Sequence, residues 1–192
     1  MAISSTFVTG QVFTAADANL MANSGLVYVA GGALSSTATN FAGCFTSTYE
    51  NYRIVLSKIS LTVGGFMAFR MLNSTTAFTS ALYYWAYTNL GSTNAPSTDV
   101  GAAASYASLG YSFQLTTDGS FSCSHEIMNP FGTGRTFYTG SSSSYYVTTP
   151  LFLLCTGAGG INSTNSFDGI QFLNSNGNTI AGNVAIYRYR KA

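Results

Sequence analysis

From Tyr52 to Ser57 the side chains alternate. Tyr52, Ile54 and Leu56 fall on one parity, and Arg53, Val55 and Ser57 on the other. Period two is the mark of a half-buried β-strand, because successive side chains leave opposite faces of the pleat. The alternation begins near Tyr49 and runs toward Val63, where Gly64-Gly65 turns the chain. Residues 66–72 then read as its hairpin partner, with Met67, Phe69 and Met71 on one face and Arg70 on the other. Other strands are expected at residues 26–30 (closed by Gly31-Gly32), 81–88, 106–115, 120–128, 135–139, 145–148, 151–155, 169–173 and 179–188. Turn signals separate them at Asn73-Ser74, residues 94–96, Asp118-Gly119, Asn129-Pro130, residues 157–160 and residues 174–177. Strands without intervening helices close into a sandwich or a barrel. Irregular spacing and long loops favour a jelly-roll-like antiparallel β-sandwich. The polar stretches at residues 91–98 and 141–144 read as loops within it.

Composition supports sheet. Asp, Glu, Lys and Arg make up 7% of the 192 residues, against roughly 25% in an ordinary globular chain. The 14 Phe and 13 Tyr exclude a disordered chain, which is poor in aromatics. Aromatic and β-branched residues favour the pleated sheet, and the helix formers Lys and Glu are scarce. A surface of Ser, Thr, Asn and Gly resists aggregation weakly through charge. It suits a chain whose faces are covered by sister subunits. The net charge of +1 argues against nucleic acid, which requires clustered Lys and Arg. No apolar run approaches the roughly 20 residues of a membrane-spanning helix. Met1-Ala2-Ile3-Ser4-Ser5 is not a secretory signal.

Residues 1–25 differ from the sandwich expected over residues 26–192. Phe13 to Asn23 is the one segment with helical character. Thr14 is a cap, Asp17 stands three residues on, and Ala15, Ala16, Ala18 and Ala22 fill the interior. Its apolar stripe, Leu20 and Met21 with Phe13 before it, is too small to fold alone. The expectation is a short helical assembly arm made of Phe13, Thr14, Asp17, Leu20 and Met21.

Residues suited to chemistry are few. Asp99, Asp118 and Asp168 fall in turn-like contexts. In Cys123-Ser124-His125-Glu126, a strand puts Cys123 and His125 on one face, a pair with the elements of a nucleophile and base. A half-buried strand histidine is the simpler reading. A metal site is not expected, with one histidine and Cys44, Cys123 and Cys155 far apart. Three buried free thiols are expected, one disulfide with a spare thiol being the other arrangement. Gly157-Ala158-Gly159-Gly160 has a superficial likeness to a phosphate-binding turn, but Asn162 replaces its third glycine. Asn73 and Asn162 head glycosylation sequons of the kind chance produces in a Ser- and Thr-rich chain. In Tyr83-Tyr84-Trp85-Ala86-Tyr87, a strand aligns Tyr83, Trp85 and Tyr87. Such a row packs a core or a subunit contact, or stacks on sugars. Tyr145 and Tyr146 are a second place for a glycan or subunit contact. No enzyme, cofactor or metal is expected.

Three segments carry a resemblance. Phe7 to Met21 contains Gly10-Gln11-Val12-Phe13-Thr14-Ala15-Ala16-Asp17-Ala18-Asn19, Tyr49 to Leu56 contains Tyr52-Arg53-Ile54-Val55-Leu56, and Ile180 to Tyr189 is a closing strand. Together they resemble small tail-fibre and virion appendage proteins of tailed bacteriophages, especially marine and cyanobacterial ones. The resemblance implies a virion location, a β-sandwich, usually a homotrimer, and no catalytic residues. The expected function is therefore a non-enzymatic trimeric tail-fibre or appendage subunit that docks on other virion proteins and contributes to host attachment, with a host-surface glycan as a further partner. The alternatives are a capsid decoration or head-fibre protein and, more remotely, a polysaccharide depolymerase, which would need a pair of facing carboxylates.

Overall fold

The computed structural model describes residues 25–63, 65–92, 95–112, 121–146 and 151–189. The arm residues Phe13, Thr14, Asp17, Leu20 and Met21 lie outside this range. In chain order the strands are β1 (Leu26–Leu34), β2 (Ala38–Phe41), β3 (Asn51–Leu61), β4 (Gly65–Asn73), β5 (Thr76–Ala77), β6 (Tyr83–Gly91) and β7 (Ser97–Ala104). They continue with β8 (Ala107–Ser112), β9 (Phe121–Met128), β10 (Thr136–Tyr146), β11 (Leu151–Ile161), β12 (Gly169–Asn174) and β13 (Ile180–Tyr189). No helix occurs among the described residues.

Two antiparallel sheets pack face to face as a β-sandwich. The larger has eight strands in the order β1-β13-β3-β9-β10-β11-β6-β7. The smaller runs β2-β12-β4, with β5 and β8 both pairing to β4. The core lies between them. Ile54, Leu56, Phe121, Ile127 and Tyr138 of the large sheet meet Met67, Phe69, Ile170 and Phe172 of the small one. Phe69 and Tyr138 touch edge to face across the gap, ring centres 5.0 Å apart.

The alternation of β3 holds, with Tyr52, Ile54 and Leu56 buried. The hairpin expected between β3 and β4 does not form. β3 is hydrogen-bonded to β13 on one edge and β9 on the other, so no edge remains for β4. The chain crosses to the second sheet, where Met67, Phe69 and Met71 still face the core.

The glycine and serine runs also depart from expectation. Gly31-Gly32 lies within β1, residues 141–144 within β10, and residues 157–160 within β11. In β10 and β11 the two runs are paired to each other, for example Gly140 with Gly157 and Ser142 with Cys155. The likeness to a phosphate-binding turn falls with this. Asp99, expected in a turn, sits in β7 opposite Tyr87.

Ring size explains the mid-strand glycines. His125 lies opposite Gly140, Tyr138 opposite Gly159, Tyr87 opposite Gly157 and Trp85 opposite Gly101. A Cβ on Gly140 would stand 2.6 Å from His125 Cγ, and one on Gly157 2.7 Å from Tyr87 Cδ1. At Gly159 and Gly101 it would enter the rings of Tyr138 and Trp85. Each ring lies over its glycine, so the strands stay in register without a void. Ser142 solves a different problem. Its small side chain faces Gly110 of β8, where a Cβ would overlap the hydroxyl, so the second sheet comes close there.

We expect Gly159→Ala to destabilise the fold by about 1–3 kcal/mol, the cost of overpacking a filled core. Urea unfolding checks it; an unchanged midpoint would contradict the ring contact.

The core also holds a histidine. The Tyr87 hydroxyl donates to the Ser108 carbonyl at 2.9 Å and stands 2.9 Å from His125 Nε2. Its single proton being committed, the Tyr87 oxygen accepts from Nε2–H, which fixes the neutral tautomer. Burial lowers the His125 pKa to about 4. The unfolded chain takes up its proton near the ordinary value of about 6.5. Stability conferred by the neutral ring is therefore complete above that value and is lost as pH falls toward 4. The loss approaches about 1.4 kcal/mol per pH unit within this window. Urea titrations from pH 7 to pH 4 should show this slope in the native chain and its flattening in His125→Gln.

Candidate functional site: the outer face of the large sheet

The sequence-predicted aromatic row belongs to the core. Tyr83, Trp85 and Tyr87 are 0%, 8% and 2% exposed, so stacking on a sugar or a partner is closed to them. The Tyr83 and Tyr87 hydroxyls tie the sheets together. The Tyr83 hydroxyl donates to the Phe78 carbonyl at 2.9 Å and accepts from the Met71 amide at 3.0 Å, while Tyr87 reaches Ser108. Burial raises both phenol pKa values far above the usual range. Tyr145 lies half-buried against the exposed Phe152, ring centres 4.8 Å apart. The side chain of Tyr146 lies outside the described residues.

Cys123 and His125 do share a face, as strand parity requires, but it is the inner one, and both are buried. Burial drives the Cys123 thiol well above its usual range, which suppresses the thiolate a nucleophile needs. Cys44, Cys123 and Cys155 are buried free thiols. Asp168 braces a turn, accepting from the Ser74 amide at 2.8 Å.

The outer face holds the residues that alternation leaves in solvent. Across β9, β10, β11, β6 and β7, Glu126 is the only charged side chain pointing outward among the described residues. Arg53 neutralises it. The guanidinium Nε donates to Glu126 Oε1 at 2.6 Å, and the Tyr189 hydroxyl donates to the same oxygen at 2.5 Å. The carboxylate raises the pKa of Arg53, and burial, followed by the carboxylate, raises that of Tyr189. Five strands at about 4.8 Å spacing make a face some 20 Å wide.

Register divides this face into bands. At one end stand Tyr145, Phe152, Leu154 and Leu90, with Phe152 67% exposed. A middle row of Ser124, Ser141, Thr156, Thr88 and Thr98 carries hydroxyls. Beside it, a shallow trough of about 310 Å³ runs over Ser122, Ser124, Ser141 and Ser143, between Val55 and Leu154. At the other end Phe137, Gly160 and Tyr84 form one row. They line a slot of about 240 Å³ together with Arg135 and Asn162.

Phe137 and Phe152 were not expected from the sequence, and Tyr84 was placed only on the face opposite Tyr83, Trp85 and Tyr87. The available signal was strand parity. If Tyr83, Trp85 and Tyr87 fill the core, then Tyr84 must face outward.

Comparison with protein-family models, with curated proteins and with solved structures found no match to this chain.

Proposed function

We propose that the chain is a non-enzymatic structural subunit of a tailed-phage particle, a homotrimeric tail-fibre or appendage protein that contributes to host attachment. The observation that carries this reading is the outer face of the large sheet. A broad, almost uncharged surface with exposed Phe152, Leu154 and Leu90 has the character of an interface. Monomers rarely leave such a patch open to water.

Strand order supports it. Setting aside β5, β6, β7, β10 and β11, the remaining strands give β1-β13-β3-β9 and β2-β12-β4-β8. This alternation between sheets is the order of a jelly roll, an architecture used by viral shells and by lectins. Two of the three segments that resemble phage appendage proteins are β3 and β13, which are neighbours in the large sheet. The same features suit a decoration or head-fibre protein, and the location on the particle separates the two.

Sedimentation equilibrium should return three times the 20.2 kDa chain mass. The double variant Leu90→Lys and Phe152→Lys should sediment as a monomer with its melting temperature little changed, since both side chains are exposed. A native monomer, or a variant that still assembles, would contradict the interface. Gold-labelled antibody on purified particles tests the rest. Label on the tail supports attachment, label over the head supports the decoration alternative, and absence of label overturns the virion reading.

A further inference from the structure

We propose that the slot between Phe137 and Tyr84 binds a carboxylated pyranose, such as a hexuronic acid unit of a surface polysaccharide. This deepens the attachment half of the function proposed above and rests on it. The site consists of side chains that packing does not explain.

Phe137 and Tyr84 are 53% and 39% exposed. They stand in one row on either side of Gly160. The glycine removes the middle side chain, so backbone floors the slot. A Cβ there would stand 3.1 Å from Phe137 Cδ1, so the ring leans over the glycine with its outer face open. Alternate strands are about 9.6 Å apart, and with Phe137 covering part of that gap a sugar ring lies on its open outer face, beside Tyr84. The apolar C–H face of a pyranose matches the face of an aromatic ring.

The polar end gives the ligand its charge. Arg135 Nε donates to Asn162 Oδ1 at 2.8 Å, which holds the guanidinium beside the slot. Among the described residues Arg135 has no carboxylate partner. Its Nη edge is the planar fork that takes a carboxylate through two parallel hydrogen bonds. Asn162 keeps its amide nitrogen, and Tyr84 its hydroxyl, for the ring hydroxyls. A neutral hexose would use the rings and leave the fork idle.

The test is an NMR titration of the full chain with methyl β-glucuronide, and with methyl β-glucoside as the uncharged control. The uronide should shift the amides of Gly159, Gly160 and Asn162 with a Kd of about 1 mM, the range expected of one small sugar. The glucoside should bind about tenfold more weakly, since it lacks the charge-assisted pair. Phe137→Ala should abolish both shifts. Arg135→Gln, a change at an exposed side chain, should bring the uronide down to the level of the glucoside. Absence of a uronide shift in the native chain, equal binding of the two sugars, or a preference that survives Arg135→Gln would each overturn the proposal. The oligomeric state of the same samples separates the outcomes. A trimer that ignores the uronide removes the slot and leaves the assembly reading standing.

Discussion

Ring-over-glycine pairing is the constraint on which the extended sheet depends. His125 with Gly140 joins β9 to β10, Tyr138 with Gly159 joins β10 to β11, Tyr87 with Gly157 joins β11 to β6, and Trp85 with Gly101 joins β6 to β7. Each strand junction beyond β9 carries at least one such pair. Glycine in a strand gives up conformational entropy and side-chain packing. Here the opposing ring supplies the missing packing. Large rings alone would crowd that layer, and small residues alone would leave it hollow.

The consequences reach the outer face through the pleat. A strand whose inward positions are ring, glycine, serine and cysteine offers its alternate positions to solvent. In β10 these are Phe137, Thr139, Ser141 and Ser143, and in β11 Phe152, Leu154, Thr156, Ala158 and Gly160. The extension therefore carries the exposed aromatics, the hydroxyl row and the slot. The strands that interleave between the two sheets supply the framework, and the inserted strands β6, β7, β10 and β11 supply the surface. The Arg53, Glu126 and Tyr189 cluster closes that surface on one side and neutralises the carboxylate that β9 turns outward.

Much of the sheet content was legible because period-two alternation reports directly on burial. β3, β9, β12 and β13 were found near their true bounds, since Tyr52, Ile54 and Leu56, or Ile170 and Phe172, mark one face unambiguously. The serine run of β10 and the glycine run of β11 were not. Their residues are turn formers by composition, and only pairing with each other and with the rings makes them strands. Neither run contains Pro, Asn or Asp, which is the local sign that the chain need not turn there. Edge strand β7 was missed for a similar reason. Ser97, Thr98 and Ala102 have no apolar alternation, and register with β6 defines the strand. The aromatic cluster at residues 83–87 was recognised with its parity, but sequence left core, subunit contact and sugar stacking open, and only the packing of the second sheet places Tyr83, Trp85 and Tyr87 in the core.

Hydroxyl-radical footprinting of the assembled protein, read by mass spectrometry at single side chains, tests the division of the outer face most directly. The account predicts that Phe152, Leu154 and Leu90 are protected, while Phe137 and Tyr84 react as their exposure in one subunit requires. Equal reactivity at both ends of the face, at a concentration where the chain is assembled, would contradict it.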